Sequence, residues 1–103
     1  MNYGEALELL KEGKTVTRYG WNGKGMFIFM RPEDRLPAEV FQKAVSIPQP
    51  VKDFYSNKFG RDFPGSVRVT AYLCMKAADD TIVNGWLASQ TDMLAEDWQE
   101  FEI

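Results

Sequence analysis

The alternation from Val67 to Lys76 constrains this chain more than any other feature. Val67, Val69, Ala71, Leu73 and Met75 take every second position, with Arg68, Thr70, Tyr72, Cys74 and Lys76 between them. Successive strand side chains point to opposite faces, so the pattern predicts one long, half-buried strand at the centre of a sheet. At 103 residues and 45% hydrophobic content, the chain fits one domain, residues 1–103, with a modest core.

The flanking segments supply the rest of that sheet and a helix. Tyr3, Ala6, Leu7 and Leu10 fall on one helical face, Asn2 and Glu5 have capping-box spacing, and Gly13 supplies a stop, which predicts a helix over 3–12. Thr15, Val16 and Thr17 favour a strand. The Asn22, Gly23 pair then signals a tight turn, so Tyr19–Gly25 reads as a hairpin loop before Met26, Phe27, Ile28, Phe29 and Met30. That second run is apolar without alternation; both its faces need cover, and another subunit is one candidate.

Past Lys76, Asp79 and Asp80 make a polar turn into Thr81, Ile82 and Val83, a second hairpin. Ser89 or Thr91 can cap a short helical turn running into Met93, Leu94 and Ala95, and Trp98, Phe101 and Ile103 form a last edge strand. All five prolines lie between Pro32 and Pro64. That region, 32–65, reads as an inserted excursion of loop and short helices at Pro37–Val45 and Val51–Lys58, kept ordered by Phe41, Phe54, Tyr55, Phe59 and Phe63. The expected fold class is α+β: an N-terminal helix plus a mainly antiparallel β-sheet, with this excursion inserted.

Charge and composition narrow the chemistry. The formal net charge is −3, and no Lys or Arg follows Lys76. Such a balance argues against DNA or RNA polymers, which require many cations on one face, whereas a small anion requires two or three. With no histidine, the commonest proton-transfer group near neutral pH and the commonest metal ligand are missing. The single cysteine, Cys74, sits in an apolar strand and reads as structural. Asp79 and Asp80 read as a solvated turn, because adjacent carboxylates point apart and lack further ligands. No catalytic residue, metal site or cofactor is expected. The absence of a disulfide and of an apolar leader, with Glu5, Glu8 and Lys11 interrupting the N-terminal segment, gives a cytoplasmic reading without membrane attachment.

Two segments begin with the same dipeptide: Gly20, Trp21, Asn22, Gly23, Lys24, Gly25, and Gly85, Trp86, Leu87, Ala88, Ser89, Gln90, Thr91, Asp92. An indole among glycines and short polar residues offers a flat surface beside exposed backbone donors, which suits a planar ligand. Tryptophan at a core margin is the plainer explanation. The glycines match neither the P-loop nor the dinucleotide fingerprint, although Arg18 and Lys24 beside them would let the loop hold one or two phosphates.

The blocks Arg18 to Met26, and Met75 through Asp79, Ile82, Val83 and the run Gly85 to Trp98, resemble the Thoeris anti-defence protein two family of phages. The resemblance implies a sponge that binds cyclic ADP-ribose isomers, such as glycocyclic ADP-ribose, made by TIR-domain proteins and withholds them uncleaved in the cytoplasm of the infected bacterial host. It further implies a homotetramer with signal sites between paired subunits. Some members also capture the cyclic oligonucleotides of the CBASS system, so cyclic di- or trinucleotides are second candidate ligands.

Under that resemblance the ligand-binding set is Arg18, Trp21, Asn22, Gly23, Lys24, Met26, Met75, Trp86, Ser89, Gln90, Thr91 and Asp92. Trp21 or Trp86 stacks on adenine; Arg18, Lys24 and the Gly23 and Gly25 amides meet the pyrophosphate. Asn22, Ser89, Gln90, Thr91 and Asp92 address ribose hydroxyls and the base edge, over an apolar floor of Met26 and Met75. The alternatives are an enzyme that degrades the signal, which would return an altered nucleotide, and an inhibitor that binds a defence enzyme, which would co-elute with it and ignore nucleotides.

Overall fold

The computed structural model describes residues 1–102, so the expected role of Ile103 in the last strand lies outside the described residues. The fold is α+β. Its elements in order are α1 (Tyr3–Lys11), β1 (Val16–Arg18), β2 (Phe27–Arg31), β3 (Asp34–Pro37), α2 (Ala38–Lys43), α3 (Gln49–Phe59), β4 (Ser66–Val69), β5 (Tyr72–Lys76), β6 (Ile82–Asn84), α4 (Gln90–Leu94) and β7 (Trp98–Glu100). They form two compact units, Glu33–Thr70 and the remainder of the chain on either side of it.

The larger unit is a five-stranded antiparallel sheet in the order β6-β5-β2-β1-β7, with α1 packed on one face. Helix α1 starts where the sequence places it. The Asn2 side chain accepts from the Glu5 N–H while Glu5 accepts from the Asn2 N–H, so two otherwise unpartnered donors are satisfied. Gly13 follows the helix at φ +86°. Ala6 and Leu10 are buried against Val16, Ile28 and Trp98. Complete burial of side chains the size of Leu10 and Ile28 stabilises by about 1.5–3 kcal/mol each.

Antiparallel register distributes β2 between two faces. Ile28 pairs with Met75 and Met30 with Leu73, all on the α1 side, whereas Phe27, Phe29 and Arg31 pair with Lys76, Cys74 and Tyr72 on the other. Cys74 is fully buried there, with its thiol 3.5 Å from Asn84 Oδ1. Phe27 and Phe29 remain half-buried, and Phe27 packs on Phe101 at 4.8 Å between ring centroids.

The alternating run from Val67 to Lys76 is two strands, not one. It breaks at Thr70 and Ala71; Ser66–Val69 joins β3 in a two-stranded sheet, and Tyr72–Lys76 joins the large sheet. Period-two patterning reports which way side chains point and carries no information about the partner strand, so it runs unbroken across a change of sheet. The central strand is β2; its Ile28 face is buried under α1, while the face carrying Phe27 and Phe29 is only half covered, so the expected burial of both faces is not complete within one copy of the chain. The last strand, β7, is an edge as expected.

The smaller unit, Glu33–Thr70, has its own cluster of Ala38, Phe41 and Phe63, joined by Leu36, Ile47, Tyr55 and Val67. Phe41 meets Tyr55 edge-on at 5.0 Å and Phe63 at 6.0 Å. Both anticipated helices are present, while strand β3, framed by Pro32 and Pro37, gave no alternation to announce it. Its partner β4 extends the compact unit to Thr70, past the 32–65 bounds expected for the excursion.

Candidate functional site

The hairpin loop between β1 and β2 is built from backbone conformations that its residue types favour. A 3-10 turn over Tyr19–Trp21 ends at Asn22 in the left-handed region (φ +57°), followed by Gly23 at +65° and Gly25 at +72°. Asparagine and glycine are the residues that adopt such angles at low cost. The base of the hairpin is tied by Thr17 Oγ1, which donates to the Met26 carbonyl at 2.7 Å, and by Lys76 Nζ, which donates to the Gly25 carbonyl at 2.8 Å.

This loop forms one wall of a cleft of about 690 Å³. Thr17, Arg18, Tyr19, Trp21, Asn22, Gly23, Lys24, Gly25 and Met26 face it from the hairpin, and Gln99, Glu100, Phe101 and Glu102 from the C-terminal segment. Its size lies within the roughly 300–1,000 Å³ range of small-molecule sites. Lys24 is exposed and, among the described residues, makes no ion pair. Among those residues, too, the N–H groups of Gly23, Lys24 and Gly25 donate no hydrogen bond. The loop therefore offers one cation and a run of free backbone donors, the combination that suits an anion.

Arg18 stands at the rim with its guanidinium already engaged. Nη1 donates to Asp92 Oδ1 at 2.8 Å, and Nε donates to Asp97 Oδ1 at 2.9 Å. Asp92 Oδ2 accepts from both Ser89 N and Ser89 Oγ, the capping box that starts α4. Asp97 Oδ2 accepts from the Gly20 N–H at 2.8 Å. The hydrogen bonds to Asp97 and Asp92 raise the Arg18 pKa further above its ordinary value. Burial pushes the Asp92 carboxyl up, but the hydrogen bonds from Arg18 and Ser89 outweigh it and leave the group below its usual range. Asp97 is held low chiefly by the Arg18 hydrogen bond.

The two Gly-Trp segments do meet, through a third indole. Trp98 is buried, stands edge-on to Trp21 at 5.5 Å and to Trp86 at 6.3 Å, and donates from Nε1 to the Asp92 carbonyl. Trp21 and Trp86 are also edge-on to each other at 6.3 Å. Of the two, Trp21 lines the cleft, while Trp86 packs against the core and donates its backbone N–H to the Leu73 carbonyl.

The anticipated ligand set is thus divided within one copy of the chain. Arg18, Trp21, Asn22, Gly23, Lys24 and Met26 share the cleft. Met75 packs on the core opposite Ile28, Ser89 and Asp92 are occupied with the α4 cap and Arg18, and Gln90 and Thr91 are exposed in the first turn of α4. Tyr19, Gln99 and Phe101 also line the cleft and were not anticipated from the sequence. Tyr19 belongs to the hairpin loop itself; the pairing of β7 with β1 brings Gln99 and the following Phe101 to the cleft, and no local pattern encodes that pairing. Among the described residues no group of three or more Cys, Asp or Glu is arranged to hold a metal ion, and no helix is long and apolar enough to cross a membrane.

Comparison with known proteins agrees with the resemblance carried by the two Gly-Trp blocks. The model of the Thoeris anti-defense 2-like domain matches residues 1–101. A curated relative, Thoeris anti-defense 2 of Bacillus phage SP01, is 41% identical over 99 residues, which cover 95% of this chain and 91% of the relative. The match runs through both compact units as well as the cleft loop, and on that ground the chain belongs to the Thoeris anti-defense 2-like family.

Proposed function

We propose that this chain is a phage anti-Thoeris protein that acts as a sponge, binding a cyclic ADP-ribose isomer such as glycocyclic ADP-ribose and withholding it uncleaved in the cytoplasm of the infected host. The observation that carries the reading is the cleft, where Trp21, Lys24 and the free N–H groups of Gly23 to Gly25 stand together. Trp21 supplies the adenine-stacking surface, a contact worth about 1–3 kcal/mol per base in single-strand binders. Lys24 and the loop amides would receive the pyrophosphate, and Asn22 and Gln99, which line the same cleft, would address ribose hydroxyls. Arg18, bound to Asp92 and Asp97, adds shape to the rim more than free charge.

Nanomolar capture requires roughly −12 kcal/mol, more than one stack and a few polar contacts provide. A homo-oligomer, the tetramer that the family resemblance implies, would enclose the ligand with residues from a second copy. The half-buried face carrying Phe27, Phe29 and Phe101 is the apolar surface that such a copy would cover. The Gln90, Thr91 stretch of another subunit would then complete the polar wall.

The test is calorimetric titration with cyclic ADP-ribose isomers and, separately, cyclic di- and trinucleotides, followed by heat release of the bound ligand and chromatography. A sponge returns the ligand unchanged. A cleaved product would establish an enzyme instead, and absence of any nucleotide affinity would leave a protein-binding inhibitor.

A further inference from the structure

We infer that Asp97 is a positioning residue for the ligand loop, acting through Gly20 and Arg18, and that glycine at position 20 leaves the room the Asp97 carboxylate occupies, which a side chain there would displace. The inference rests on the reading of the Tyr19–Gly25 cleft as the signal site.

Three hydrogen bonds carry it. The Tyr19 N–H donates to the Asp97 carbonyl at 3.0 Å, the Gly20 N–H donates to Asp97 Oδ2 at 2.8 Å, and Arg18 Nε donates to Asp97 Oδ1 at 2.9 Å. One residue thereby holds three consecutive positions where the chain leaves β1 and turns into the loop. The Asn22 N–H closes the 3-10 turn onto the Tyr19 carbonyl at 3.0 Å, so the orientation fixed at Tyr19 and Gly20 is passed directly to the residues carrying the free amides.

The residue type at position 20 fits the same contact. Its φ lies outside the positive region, so its backbone conformation does not call for glycine. A Cβ there would lie 2.9 Å from Asp97 Oδ2, closer than such contacts occur, and 3.5 Å from Arg18 Nη2. Glycine at this position keeps the carboxylate against the loop. Asp97 sits just before Trp98, so the device couples the loop to the most buried indole of the core.

The experiment compares Asp97→Ala, Gly20→Ala and the double variant for affinity toward glycocyclic ADP-ribose and for amide hydrogen exchange in the unliganded protein. A lost hydrogen bond to a charged group corresponds to about tenfold or more in affinity, so each single variant should bind about tenfold more weakly. The double variant should bind no more weakly than Asp97→Ala alone, because Gly20→Ala acts through the carboxylate that Asp97→Ala has already removed. In both singles the Gly20 and Asn22 amides should exchange faster while those of Leu10 and Ile28 keep their protection. Unchanged affinity, additive losses, or equal loss of protection at Leu10 and Ile28 would each overturn the inference. If the unaltered protein binds no cyclic ADP-ribose isomer, the sponge reading fails by itself, and the exchange pattern alone decides whether Asp97 organises the loop.

Discussion

Trp98 stands edge-on to Trp21 at 5.5 Å, and through this contact the wall of the cleft is also the margin of the core. A ligand stacked on Trp21 would therefore rest on an indole supported from behind by Trp98 and Trp86. Replacing Trp98 by Ala removes that support and leaves a cavity among Ala6, Leu10 and Val16, with an expected loss of about 3–5 kcal/mol in unfolding free energy. Trp21→Ala, half-buried, should lose less stability and, if the cleft is the signal site, most of the nucleotide affinity. Urea denaturation and calorimetry on the same preparations separate the two effects.

Arg18→Ala strips the partner from two carboxylates whose side chains are only 15% and 32% exposed. The expected cost is about 1–3 kcal/mol, the usual range for removing one partner of a partly buried charged group, with the Ser89 and Gly20 donors still in place. Arg18→Lys should recover less than half of it, because one ammonium cannot present separate donors to Asp92 and Asp97 as the planar fork does. Unfolding curves of both variants check this ordering.

Much of the local structure was legible because local chemistry dictates it. Asn2 with Glu5 and Asn22 with Gly23 announce a cap and a turn within four residues, and both are present; of Ser89 and Thr91, the two candidates for the last helical cap, Ser89 is the one that caps α4. What escaped is set by partners far along the chain. Arg18 meets Asp92 and Asp97 across separations of 74 and 79 residues, and nothing in either segment encodes the other. The run Val67–Lys76 misled for the same reason, since its alternation is genuine in both β4 and β5 while their partners differ. Trp21 and Trp86 looked equivalent from their glycine neighbours; only the pairing of β1 with β7 exposes one of them to the cleft.

Ser89 joins the short helix α4 to the Arg18 cluster, since its hydroxyl accepts from the Asp92 N–H and donates to Asp92 Oδ2. Ser89→Ala should cost about 1 kcal/mol as a lost N-cap. Because the Asp92 carboxylate also loses a donor, the variant should loosen the Arg18 contact. Raised amide exchange at Asp92 and Met93 would report the first effect, and a smaller Arg18→Ala penalty in the Ser89→Ala background the second.

Acid should weaken the fold in a narrow window. Asp92 and Asp97 both have lowered folded-state pKa values, so the stability they contribute is complete above the unfolded carboxylate value of about 3.9 and is lost as pH falls through the folded values. Lacking histidine, the chain has no side chain whose ordinary pKa lies between pH 5 and 8. The thermal midpoint should be nearly flat from about pH 8 to pH 5 and fall below about pH 4. In Arg18→Ala the acid slope should be shallower, because the cation that holds both carboxylates low is gone; a slope equal to that of the unaltered protein would assign the acid sensitivity to Glu33 and Asp79, which are also lowered.

Lys24 separates binding from folding more cleanly than any other cleft residue. It is exposed, it makes no ion pair among the described residues, and the loop around it is held by Thr17, Lys76 and Asp97 without its help. Lys24→Gln should leave unfolding free energy within about 0.5 kcal/mol, as for surface changes that break no named interaction. If Lys24 faces the pyrophosphate, the same change weakens nucleotide binding and flattens its dependence on salt, since screening acts on the charge that has been removed. Titrations at two ionic strengths would show it: affinity that falls equally with salt in both proteins would take Lys24 out of the site and leave the anion to the loop amides alone.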